Sequence, residues 1–298
     1  MVVDFTSSRQ EAHSHYVGLS RVKTLEGLHI LNLCENKIHV HPRVVEEMAE
    51  LRSTRNMPLS LYRPYMYNDF SCHAAFLTVR SLHKHIDCIR HDRSLLTCDI
   101  HTYCETRVSP NDSTQLYEID NFNSVMYPAY SRTNKRSHYG LAAYSKLALT
   151  HSIQPFTMAP QSSHGTAECA LMCVVLHRHL LKVACVYRRP NSDISKFQTA
   201  MSHLLNELNA IHTDDLSLHQ STIIMGDFNL DWHDQSTQVL MARTLPGFRQ
   251  LVTEPTTDYG STLDHIYTDL PPDLVQHFTL ESYYSDHKPL VAALRLPL

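Results

Sequence analysis

The sequence predicts an α/β fold, and two patterns carry the prediction. Apolar runs of strand length recur, and four of them deliver an acid at or beside one end: Thr102-Tyr103-Cys104-Glu105, Ile223-Ile224-Met225-Gly226-Asp227, Leu263-Asp264-His265-Ile266-Tyr267 and Ser285-Asp286-His287-Lys288-Pro289-Leu290-Val291. Between such runs stand segments with apolar residues three and four apart, notably Leu82, Ile86 and Ile89, and then Met201, Leu204, Leu205 and Leu208.

With 298 residues, 43% hydrophobic and 19% charged, the chain can bury a substantial core. A formal net charge of -4 offers no global attraction to nucleic acid, so any DNA contact must use a local basic patch or metal ions. The start, Met1-Val2-Val3-Asp4-Phe5, lacks a basic and apolar leader, and no stretch is long enough to cross a bilayer. The expectation is an intracellular, nuclear protein without a membrane partner. The eight cysteines read as buried, reduced thiols. His39/His41, His83/His85 and His177/His179 form HxH pairs, but no acid or cysteine completes them at a zinc spacing.

Taken in order, residues 13–52 hold His13-Ser14-His15-Tyr16-Val17-Gly18-Leu19-Ser20-Arg21-Val22, an apolar strand to Leu33, and a charged helix. Pro42 announces that helix near its first turn, and Val44, Val45, Met48 and Leu51 line one side. Periodicity is lost over 53–73, which reads as a linker, and regular structure resumes at Ala74 with the strand Ala75–Val79. A helix follows Arg80-Ser81, and the run from Leu95 to Cys104 reads as a strand ending at Glu105. An irregular stretch to Asn121 leads to the most basic run, Ser131-Arg132-Thr133-Asn134-Lys135-Arg136, before a strand at Tyr139–Tyr144. Ala170–His177 and Leu180–Tyr187 pair as a hairpin across Arg178-His179, and Phe197–Ile211 forms an amphipathic helix. In Gly226-Asp227-Phe228-Asn229 the glycine permits a sharp turn. Asp227 and Asn229 share a direction if extended geometry persists, placing an acid beside an amide at the mouth of a sheet.

Two resemblances follow from these motifs. The first fifty residues resemble the C-terminal end of superfamily-one DNA helicases of the RecD/telomere-maintenance kind, in which Arg21 corresponds to an arginine finger. A GxxxxGK[ST] phosphate cradle is absent from the sequence, so residues 1–52 read as a helicase remnant with no ATP partner and no helicase activity. Residues 74–298 resemble the endonuclease/exonuclease/phosphatase superfamily through Glu105-Thr106, Tyr187-Arg188-Arg189-Pro190, Gly226-Asp227-Phe228-Asn229, Leu263-Asp264 and Ser285-Asp286-His287, all in order. Arg80-Ser81-Leu82 and Pro255-Thr256 are similar to the non-LTR retrotransposon type, and the helicase-like tail suggests a Helitron-like or other transposon-derived gene.

The resemblance implies a four-layered α/β sandwich, two packed mixed sheets flanked by helices, with the site at one rim. It implies an Mg²⁺-dependent (alternatively Mn²⁺-dependent) endonuclease acting on the DNA phosphate backbone. Glu105 and Asp286 would hold the metal. Asp227 would activate water beside Asn229, Asp264 would hold His287, and Tyr187 would touch a phosphate. Thr78, Thr262, Arg132, Lys135 and Arg136 complete the expected substrate contacts. Thr78 stands where the family carries an asparagine that tunes the glutamate, and such a loss often costs about 10- to 100-fold. A small-molecule or lipid-headgroup phosphatase, or a degenerate mobile-element relic, are the competing functions.

Overall fold

The structure, a computed structural model, describes residues 2–4, 29–32, 42–53, 70–128, 139–154, 166–176, 178–211 and 218–296. It divides into two units, Met1–Arg63 and Pro64–Leu298. In the first, β1 (Val2–Asp4) pairs in parallel with β2 (His29–Leu31), and α1 (Pro42–Ser53) starts at the expected proline. The Tyr16–Val22 motif with Arg21 lies outside the described residues, as do residues 54–69 of the expected linker and Arg132, Lys135 and Arg136.

The second unit is the predicted sandwich. One six-stranded mixed sheet contains β3 (Cys72–Thr78), β4 (Ile100–Cys104), β5 (Phe122–Tyr127), β6 (Leu141–Lys146), β13 (Val275–Thr279) and β14 (Leu290–Leu294), in the order β13-β14-β3-β4-β6-β5. The other contains β7 (Thr150–Gln154), β8 (Ala167–Leu176), β9 (His179–Arg188), β10 (His219–Asp227), β11 (Arg249–Gln250) and β12 (Asp264–Thr268), in the order β11-β12-β10-β9-β8-β7.

The side-chain period of two explains why both strand faces are apolar. Along β9, Leu181, Val183, Cys185 and Tyr187 enter the core between the sheets with Phe76, Ile100, Ile223 and Met225. The alternate residues Ala184 and Val186 turn outward onto α4 (Ile194–Ala210) and α5 (Gln235–Thr244), through Phe197, Met201, Leu204 and Met241. The other sheet turns Ala75 and Leu77 onto Leu82, Ile86 and Ile89 of α2 (Leu82–His91). Four layers result. Among the described residues seven cysteines are free, six buried and Cys88 half-buried, and no helix is long and apolar enough to cross a membrane.

Local departures have local causes. The run from Leu95 is not all strand: Asp92 caps α3 (Arg93–Leu96) by accepting the Ser94 and Leu95 N–H groups, and extended structure begins only at Ile100. Leu176 pairs with His179, so His179 opens β9 and is not part of the turn expected at Arg178-His179. β5 and β7 carry no clean alternation in sequence and were not expected. Gly226 lies inside β10 rather than at a turn; it faces Val186 of the parallel β9, and a Cβ there would overlap the Val186 carbonyl.

Candidate active site

Strand register brings the acids together. Asp227, the last residue of β10, pairs with Tyr187 of β9 on one side and Asp264 of β12 on the other. Across the sandwich, Glu105 follows directly on β4, and its Oε1 accepts a 2.9 Å hydrogen bond from the Tyr187 hydroxyl. Glu105 (φ 50), Arg107 (φ 55), Arg80 (φ 54) and Asn229 (φ 47) all adopt left-handed backbone just beyond these strands. Such conformations are uncommon for residues with a Cβ and concentrate where side chains must be aimed.

At the next strand end stands a buried acid–imidazole pair. His287 Nδ1 lies 2.8 Å from Asp264 Oδ2 and 3.0 Å from Oδ1. Asp264, 0% exposed, also accepts from Thr256 (2.7 Å) and Thr78 (3.0 Å). Burial pulls the imidazole towards neutrality. The charges of Asp264, Asp227 and Asp286, with the Asp264 hydrogen bond, outweigh it and raise the His287 pKa to about 9. The ring is therefore cationic at neutral pH, with Nε2 as its remaining donor.

Asp227 is buried beside that pair. Burial first, and then the Asp264 charge, raise its carboxyl well above the ordinary aspartate range. Its Oδ1 accepts the Asn229 N–H at 2.9 Å. Extended geometry does not persist beyond Asp227: Asn229 turns left-handed, and its Nδ2 donates to the Arg188 carbonyl at 2.8 Å, leaving the second amide hydrogen available.

One ligand atom from each of Asp227, Asp264 and His287 lies within 4.8 Å of the others. Asp264 is already saturated by two threonine hydroxyls and the imidazole, so we read these three as an acid–base cluster. Among the described residues, neither Glu105 nor Asp286, the two expected metal ligands, joins such a group of three. Asp286 Oδ1 is buried without a hydrogen-bond partner, while Oδ2 pairs with Arg80 at 2.8 Å. Glu105 Oε2 lies 3.9 Å from Arg107 Nη2. A buried carboxylate oxygen without a hydrogen-bond partner is of the donor type that a hard cation such as Mg²⁺ takes. Among the described residues, no such group of three includes His83, His85 or His179.

Three residues expected at the substrate have protein partners in the structure: the Tyr187 hydroxyl donates to Glu105 instead of standing free for a phosphate, and two threonines are buried. Thr78 is 1% exposed and bonds Asp264 and Cys104 Sγ, so it supports the His287 partner instead of touching substrate or the glutamate. Thr262 is 0% exposed, and its hydroxyl donates to the Glu254 carbonyl. Conversely, Thr256 was legible only as part of a Pro-Thr motif. Its hydroxyl proves to be the hub of the Asp264 loop, also accepting the Leu263 and Asp264 N–H groups at 3.1 Å.

The family model described as "Endonuclease/Exonuclease/phosphatase family" matches residues 101–287, which span Glu105 to His287. No curated protein sequence matches the chain. Solved structures share the fold at low identity. The AP endonuclease LMAP from Leishmania major aligns with TM-score 0.61 and 17% identity over 82% of this chain and 92% of that one. A mannosyl-6-phosphatase of Bacteroides thetaiotaomicron gives 0.57 and 13% over 76% and 100%. The endonuclease domain of TRAS1, a telomere-specific non-LTR retrotransposon, gives 0.52 and 15% over 76% and 98%.

Proposed function

The chain belongs to the endonuclease/exonuclease/phosphatase family, and from that premise we propose that it is a metal-dependent DNA endonuclease of mobile-element type, making single-strand nicks that leave a 3′-hydroxyl and a 5′-phosphate. The observation that carries the hydrolytic part is the convergence of Glu105, Tyr187, Asp227, Asp264 and His287 through strand register and direct hydrogen bonds.

Each group then has a task. Asp227, with its raised proton affinity, takes a proton from the attacking water. His287, held cationic by Asp264, donates Nε2–H to a non-bridging phosphate oxygen as charge develops there. The free amide hydrogen of Asn229 donates to a second oxygen. Mg²⁺ held by Glu105 and Asp286 would supply Lewis-acid stabilisation of the phosphate. Buried Tyr187 keeps its proton, because burial and the Glu105 charge oppose its loss, and it orients Glu105.

Two exposed aromatics support a polynucleotide over a small phosphate ester. Tyr259 (83% exposed) stands in the turn whose Thr257 bridges to His287, and Tyr283 (77% exposed) in the loop that carries Ser285–His287. Both turns are pinned, by Asp258 N–H to the Asp286 carbonyl and by Ser282 Oγ to the Tyr284 and Ser285 N–H groups. Exposed rings on turns tied to Asp286 and Ser285 suit base stacking, worth roughly 1–3 kcal/mol per base. A substrate panel tests the assignment. Supercoiled plasmid is converted to nicked circles, and Tyr259→Ala raises KM for DNA roughly 5- to 100-fold while sparing a small aryl phosphodiester. Rapid turnover of a sugar or inositol phosphate with no plasmid nicking would reassign the substrate.

A further inference from the structure

Arg188 occupies the last position of β9, directly after Tyr187, and strand alternation sends the two side chains to opposite faces. Tyr187 enters the core between the sheets, while the Arg188 guanidinium goes outward beneath the site, 5.5 Å from the Phe197 ring centroid. It is 3% exposed. Among the described residues no carboxylate lies within ion-pair distance of it, so backbone carbonyls bear the charge. Nη2 donates to Ser192 O at 2.7 Å, and Nη1 to Asn229 O at 3.2 Å and Phe228 O at 3.4 Å.

The bonding is reciprocal. The Arg188 carbonyl accepts Asn229 Nδ2 at 2.8 Å, so one residue grips the Asn229 turn at both its backbone and its side chain. The φ of 47 at Asn229 lies in the left-handed region, which asparagine tolerates better than other residues with a Cβ, and the Arg188 bonds select that conformation. Burying a guanidinium is an expensive way to fill this volume: desolvation opposes it, and Nε is left without a partner. A packed apolar side chain would serve stability as well. The planar fork alone reaches three carbonyls on two separate turns, which lysine, a point donor, does not.

We infer that Arg188 is a positioning residue, which fixes the left-handed turn of Asn229 and so aims the carboxamide at the substrate phosphate. The inference rests on the proposed phosphodiesterase reading only for its kinetic readout. Full-length wild type, Arg188→Met, Asn229→Ala and the double variant are compared on plasmid nicking. Arg188→Met lowers kcat about tenfold to a hundredfold with KM within twofold, as for a misaimed group. The double variant is no slower than Asn229→Ala alone, because both remove the same aimed amide. Multiplicative losses, or full kcat in Arg188→Met, would overturn the inference.

Amide hydrogen exchange gives the second readout. In Arg188→Met the Asn229 N–H exchanges faster while β10 keeps its protection; unchanged Asn229 protection also overturns the inference. Should Arg188→Met lose protection throughout the domain, Arg188→Lys is judged by the same two criteria. If the wild type cleaves no phosphate ester, the functional proposal fails, and local exchange at Asn229 still decides the role of Arg188.

Discussion

Replacing His287 with alanine lowers kcat/KM for phosphodiester cleavage by roughly 10²- to 10⁴-fold, the range for a positioned proton donor. The variant removes the cationic donor that Asp264, Thr78 and Thr256 are arranged to hold. It also strands a buried carboxylate. Breaking a buried pair costs about 3–5 kcal/mol, a figure the two threonine donors reduce here. Activity is therefore measured well below the variant's melting temperature.

The pH dependence has a definite sign. The folded pKa of about 9 lies above the ordinary 6.5, so the pair stabilises the fold fully below pH 6.5. That contribution fades as pH rises through about 9. The wild-type rate falls over the same alkaline limb as the imidazolium is lost, and the residual activity of His287→Ala lacks that limb. An unchanged rate, or an identical alkaline limb in the variant, would remove His287 from the mechanism.

Gly226→Ala has the largest expected effect on stability, though a methyl is all it adds. The β9 and β10 backbones approach at Gly226 and Val186 until a Cβ has nowhere to go, and its nearest neighbours would be backbone atoms rather than a side chain that can rotate away. Overpacking of this kind costs about 3 kcal/mol or more. In a domain of this size that is a fall of roughly 6–12 °C in Tm, read by thermal melting followed by circular dichroism. Because Asp227 is the next residue, the strain also displaces the base, and activity falls even where the variant stays folded. An unaltered Tm would mean that the two strands stand further apart than described.

Much of the site was legible in the sequence because its chemistry is carried by residue types at strand ends. Glu105, Asp227, Asp264 and His287 each follow or begin an apolar run, and period-two burial on both faces is what the middle of a sandwich requires. What was not legible depends on register and side-chain reach. Thr78 looked like a partner of Glu105, one residue beyond the Cys104 it faces in the parallel pair, but its short hydroxyl reaches Asp264 instead. Thr262 sits two positions before Asp264, and nothing local reveals that its hydroxyl is spent on the Glu254 carbonyl. Asn229 was placed beside Asp227 by strand alternation, which ends one residue too early for that rule to apply. Gly226 was assigned to a turn because the neighbour that demands a glycine, Val186, is 40 positions away in the chain. α3 was hidden by the apolar Leu95-Leu96, which a strand would also accept, and only the Asp92 cap distinguishes the two.

The central claim is that Glu105 belongs to the same metal-dependent centre as Asp227 and His287. The Mg²⁺ dependence of plasmid nicking by wild type and Glu105→Gln tests it most directly. Wild type nicks with Mg²⁺ and stops in EDTA, whereas Glu105→Gln needs about 10- to 100-fold more Mg²⁺ for half-maximal rate, as expected when an anionic oxygen ligand becomes a neutral one. Equal nicking in EDTA, or superimposable Mg²⁺ curves for the two proteins, would contradict it.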